Sequence, residues 1–174
     1  MYLDLTSLRS ALAALEKSLG FLNSELAENR DLREQLQAAA VQAFEFTHEL
    51  AFKMLKRQLE QMAADPIAVD QMAYMDVVRS GAEAGLIADV ARFRDYREKR
   101  NITSHTYDHA KAEQITAVLN DFRDDVRFLL AELERRNRAA DLPFKVDVID
   151  WAATADQFRR IVEEQHVVLQ KASQ

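Results

Sequence analysis

Leu5, Leu8, Leu12, Leu15, Leu19, Leu22 and Leu26 recur at alternating spacings of 3 and 4 residues. That rhythm places them on one face of a long helix and admits no strand, whose faces alternate every second residue. A second helical stretch is expected from Asp31 to about Ala64, apolar on more than one side around Phe44, Phe46, Phe52 and Leu55, as a central helix would be. Asp65-Pro66 reads as an N-cap followed by proline in the first turn, which predicts a break and a third helix running to the Gly81–Gly85 region. A fourth helix starts near Asp89. A fifth follows Asp108 with the stripe Ile115, Leu119, Phe122, Val126, Leu129 and Leu133.

Residues 3–136 are therefore expected to form a mainly α, antiparallel up-and-down bundle of four to five helices, a four-helix bundle or a close variant. Composition agrees, because 3 Gly and 2 Pro in 174 residues leave too few turn formers for an all-β fold. No cysteine is present, which removes disulfides, thiolate metal sites and thiol nucleophiles, and fits a cytoplasmic protein. No secretory signal and no membrane-spanning segment is read. A net charge of -6 argues against coating nucleic acid by charge alone.

From 141 to 174 the pattern changes. Leu142-Pro143 leads into Phe144-Lys145-Val146-Asp147-Val148-Ile149, a strand signal, and Thr154 with Gln157 has the capping-box spacing of a helix start. Val167-Val168-Leu169 completes an expected short C-terminal β-α-β tail, too small to hold a core of its own.

The chemistry-bearing segment is Arg97-Glu98-Lys99-Arg100-Asn101-Ile102-Thr103-Ser104-His105-Thr106-Tyr107. Arg92 to Arg100 holds five bases and two acids, a basic island in an acidic chain. A solvated helix face is the plain reading. Against it stands the coincidence of Arg, Asn, His and Tyr where the fourth helix ends, residue types that grip phosphate and move protons. Arg100 and His105 are five apart, so on an unbroken helix they would point about 140° away from each other. Their convergence needs a helix end or a second chain. Of the other histidines, His48 and His166 read as ordinary residues of a helix and of the tail. His105 and His109 are separated by the helix start at Asp108, so no metal and no cofactor is expected.

The string Arg100-Asn101-x-x-x-His105-x-Tyr107, preceded by Phe44-Glu45-Phe46-Thr47-His48-Glu49-Leu50-Ala51-Phe52-Lys53 and by Glu83-Ala84-Gly85-Leu86-Ile87, resembles the HEPN superfamily. It is similar in particular to the HepT-like, or nucleotidyltransferase substrate-binding protein, branch, over residues 3 to about 135. The resemblance implies a homodimer whose Arg100 and His105 line a cleft at the two-fold interface and act as a metal-independent ribonuclease of a toxin-antitoxin pair. Arg100 would hold the phosphate and His105 would move protons. Asn101 is placed to orient the imidazole, and Lys99 and Arg97 to add to phosphate binding. Tyr107 matches the position that a cognate minimal nucleotidyltransferase modifies, and a nucleotide there would obstruct the cleft.

The tail is similar instead to the C-terminal end of the minimal nucleotidyltransferases, with Asp147 at the position of their last-strand carboxylate. The chain lacks the Gly-Ser and Asp-x-Asp motifs that such enzymes need, so it is not expected to transfer nucleotides itself. Beside a protein that acts on RNA, two other readings stay open: a non-catalytic subunit that presents a nucleotide or substrate to a separate nucleotidyltransferase, and a helical dimer without activity.

Overall fold

The computed structural model describes residues 2–103 and 109–140. Helix α1 (Thr6–Leu22) is followed by a 3-10 turn (Glu25–Glu28) and by α2 (Arg30–Met62). Then come α3 (Pro66–Asp70), α4 (Tyr74–Glu83), α5 (Val90–Asn101), α6 (His109–Thr116) and α7 (Leu119–Ala140). Among the described residues every regular element is a helix. The expected β-α-β tail lies outside them, as does the Asp108 cap.

The caps fall where side-chain chemistry puts them. Asn29 accepts from the Leu32 amide, Asp65 accepts from the Ile67 amide at 3.0 Å ahead of Pro66, and Asp89 accepts from the Ala91 amide at 2.8 Å. Helix α4 ends at Gly85, whose φ of 70° is the left-handed conformation that glycine adopts without strain. The Leu86 amide then returns to the Gly81 carbonyl at 2.8 Å, and Arg136 of α7 donates to the freed Ala84 carbonyl at 2.6 Å.

Helix α2 packs against each of the other helices, the central position its many-sided apolar pattern implied. Leu8, Leu12, Leu15 and Leu19 of α1 and Ile115, Leu119, Phe122, Val126, Leu129 and Leu133 of α6 and α7 are all buried in the same core. Phe122 sits edge-on to both Phe44 and Tyr96, with centroids at 4.8 and 5.1 Å, the geometry favoured by the ring quadrupoles. The start of the chain is clamped to α7: the Leu3 amide donates to Asn137 Oδ1 and Asn137 Nδ2 donates to the Leu3 carbonyl.

Three expectations are corrected. The leucine stripe leaves the core at the 3-10 turn, where Leu26 is 50% exposed, because the helix has already ended at Leu22. The third helix is two pieces, α3 and α4, separated at Gln71–Ala73, and the fifth is also two, broken between Thr116 and Leu119, so four to five helices become seven α-helices, besides the 3-10 turn, among the described residues. Phe46 is 57% exposed rather than part of the central packing, since it lies on the outer face of α2.

Candidate anion site at the end of the fifth helix

Helix α5 divides its residues cleanly. Phe93 and Tyr96 face the core, while Arg97, Arg100 and Asn101, related by three and four positions, share another face. Arg92, at the other end, forks to Asp121 at 3.1 Å and Asp125 at 3.2 Å. Tyr96 donates to the buried Asp125 at 2.6 Å. Burial pushes the Asp125 carboxyl above its ordinary range despite these two donors. This network fixes the helix on α7, and Lys99 is taken up by Asp95 at 3.2 Å. The two cations in the last turn, Lys99 and Arg100, lie at the negative end of the helix dipole.

Arg100 reaches across to α2, where its Nη1 lies 3.6 Å from Glu45 Oε1. The hydroxyl of buried Thr103 lies within hydrogen-bonding reach of the same carboxylate and of the Arg100 carbonyl, and donates to one at a time. Glu45 and Thr103 thus bracket Arg100 from side chain and backbone. Both partners of the Arg100–Glu45 pair are partly exposed, so the pair contributes little to stability. Its consequence is positional.

Arg97 is exposed and lies over the ring of Tyr74, with Cζ 4.3 Å from the ring centroid. Phe52 stacks on the same tyrosine at 4.6 Å. The Tyr74 hydroxyl stands 3.3 Å from the Phe93 carbonyl oxygen and 3.1 Å from His48 Nε2. The hydroxyl has one proton, so it donates to the carbonyl when His48 carries its own proton on Nε2 and to the imidazole when that proton is on Nδ1. Burial, reinforced by Arg100 and Arg97, lowers the His48 pKa to about 4, so the ring is neutral at neutral pH. Burial likewise raises the Tyr74 hydroxyl to about 12.

His48, Glu49, Phe52, Tyr74, Arg97, Arg100 and Asn101 line a cavity of about 260 Å³. A larger one of about 640 Å³ opens among Tyr2, Leu3, Asp4, Arg57, Glu60 and Pro66, but it offers a single cation and no histidine. The smaller cavity carries the chemistry.

Of the residues singled out from sequence, Arg97, Arg100 and Asn101 meet at this cavity, and Lys99 is turned to Asp95. His105 and Tyr107 lie outside the described residues. His48, Glu45, Thr103 and Tyr74 are part of the site although the sequence did not single them out. Glu45 and His48, three apart on α2, carried a legible signal because that spacing puts them on one face. Tyr74 carried none, since it arrives from α4 by tertiary packing.

A helical domain presenting an arginine-lined cavity at the end of one helix is the class of protein that fold and site define. A family model described as "Nucleotidyltransferase substrate binding protein like" matches residues 3–135, and the chain belongs to that family. It is 42% identical over 107 residues to "Probable ribonuclease HepT" of Haemophilus influenzae, covering 62% of this chain and 73% of the relative. A second stretch of 32 residues is 47% identical to "Probable protein adenylyltransferase MntA" of the same organism, spanning 18% of this chain and 28% of that protein. A solved Haemophilus influenzae structure, described as the fold of a substrate binding domain of a nucleotidyltransferase, superposes with a TM-score of 0.72 at 36% identity. That likeness covers 75% of this chain and 99% of the other. No described helix is long and apolar enough to cross a membrane.

Proposed function

We propose that the chain is the HEPN-type member of a HEPN/minimal-nucleotidyltransferase toxin-antitoxin pair. In this reading it is a metal-independent ribonuclease acting at the cleft of a homodimer and controlled by its nucleotidyltransferase partner. The observation that carries the reading is the convergence of Arg97, Arg100 and Asn101 on one cavity, with Arg100 braced by Glu45 and Thr103. The ribonuclease name of one relative and the adenylyltransferase name of another support the same context.

In the proposed reaction the 2'-hydroxyl of RNA attacks the adjacent phosphorus. The 5'-oxygen leaves, giving a 2',3'-cyclic phosphate and a 5'-hydroxyl. Arg100 binds the phosphate and stabilises the charge that grows on its equatorial oxygens. His105 takes the proton from the 2'-hydroxyl, and the second protomer's copy of the same histidine gives one to the leaving oxygen. Asn101 holds the imidazole, and Lys99 with Arg97 adds to phosphate attraction. A nucleotide attached to Tyr107 would bring its own phosphate to Arg100 and silence the site.

Labelled RNA incubated with the full chain in EDTA tests this. Cleavage to cyclic-phosphate ends that is lost in His105→Ala and Arg100→Ala supports the reading, and equal cleavage by these variants overturns it. The solved neighbour's description favours a second reading, a non-catalytic subunit that binds a nucleotide or other substrate for a separate nucleotidyltransferase. Nucleotide binding that needs Arg100, without cleavage of any RNA, distinguishes it.

A further inference from the structure

Arg92, Lys99 and Arg100 each face a carboxylate. Arg97 instead lies over the Tyr74 ring, and no ion pair to a carboxylate is found for it among the described residues. An exposed guanidinium gains little stability from such a contact, yet holding it there has a geometric result. Phe52 fixes Tyr74, Tyr74 is tied by its hydroxyl to Phe93 and His48, and the planar guanidinium lies over that anchored ring. The side of the guanidinium turned away from the ring is a flat cationic surface, three residues along the helix from the arginine that faces the anion site.

We propose that Arg97 is the stacking platform for the nucleobase that neighbours the phosphate held by Arg100. The proposal rests on the assignment of Arg100 to a nucleic-acid or nucleotide phosphate, and it gives Arg97 a part distinct from phosphate attraction. Bases stack on arginine planes as they do on aromatic rings, and such stacking tolerates any sequence because every base has a π-face. The size agrees: about 260 Å³ falls just below the roughly 300–1,000 Å³ of pockets that swallow a whole drug-sized ligand. It suits one base with its phosphate at the rim.

The test uses the full chain with two pairs of probes. One pair is an uncleavable 2'-O-methyl oligonucleotide and the same strand carrying single abasic positions. The other is 5'-AMP and ribose 5-phosphate. The wild-type protein should bind the base-containing member of at least one pair roughly five- to hundred-fold more tightly, the range that base stacking supplies. Preference within the mononucleotide pair assigns a free nucleotide, and preference within the strand pair alone assigns an RNA chain. Arg97→Lys, which keeps the charge and removes the plane, should abolish the preference while leaving the salt dependence of binding unchanged. Equal binding of both members of both pairs by the wild type, or a preference that survives in Arg97→Lys, overturns the proposal. Absence of RNA cleavage with the base preference intact would sink the nuclease reading and leave the platform standing.

Discussion

Glu45 Oε1 stands 3.6 Å from Arg100 Nη1, joining the second helix to the end of the fifth. A carboxylate there both steadies the guanidinium and competes with any incoming phosphate. Glu45→Gln should therefore change unfolding stability by less than about 1 kcal/mol, as expected of a half-exposed pair. The same variant should bind an uncleavable oligonucleotide severalfold more tightly. Urea denaturation and fluorescence anisotropy check the two halves, and weaker binding would show that Glu45 acts chiefly by positioning Arg100.

His48 gives the fold a defined acid sensitivity. Its folded pKa of about 4 lies below the ordinary 6.5, so below pH 6.5 protons bind the unfolded chain preferentially. The associated stability, on the order of 3 kcal/mol, is fully present above pH 6.5 and is lost as pH falls toward 4. Subtracting the profile of His48→Gln from that of the wild type isolates this contribution from the carboxylates. A difference flat between pH 6.5 and 4 would contradict the buried neutral ring.

Two glycines in helices should respond with opposite signs to alanine. At Gly20 a Cβ meets nothing within 4 Å, so Gly20→Ala should stabilise by about 0.5–1 kcal/mol through helix propensity. At Gly81 a Cβ would lie 2.8 Å from Leu55 Cδ1 and 3.0 Å from Ile87 Cγ1. Leu55 is fully buried and Ile87 nearly so, so a shift of either presses on close-packed neighbours in the core. Overpacking of about 1–3 kcal/mol should exceed the propensity gain, leaving a net loss in urea denaturation.

Tyr96→Phe removes one of the two donors to buried Asp125. A loss of about 1–3 kcal/mol is expected, together with a further rise of the Asp125 carboxyl pKa, read by NMR titration.

The leucine rhythm of α1 and the stripe from Ile115 to Leu133 were legible in the sequence because periodicity reports burial directly. The cap at Asp65 and the helix start near Asp89 were legible because the hydrogen bonds that make them are local. The early end of α1, which exposes Leu26, and the break at Gln71–Ala73 were not, since apolar spacing persists through both while the backbone turns. At the site, Arg100 and Asn101 stood out as unusual residues at a helix end. His48 read as an ordinary residue because its neutrality depends on burial beside two arginines that lie about fifty positions further along the chain. Arg97 read as a further phosphate-binding charge beside Arg100, and its place over an aromatic ring was not legible because Tyr74 arrives from another helix.

The step on which the proposed function turns is the stabilisation of a phosphate by Arg100 more strongly in the transition state than in the bound substrate. Its most direct measurement is the single-turnover rate of RNA cleavage in EDTA, at saturating protein, for wild type and Arg100→Ala. A rate lowered about 10²–10³-fold is expected for Arg100→Ala, with cyclic-phosphate ends in whatever product remains. A rate unchanged once binding is saturated would contradict it, and would leave Arg100 a binding residue alone.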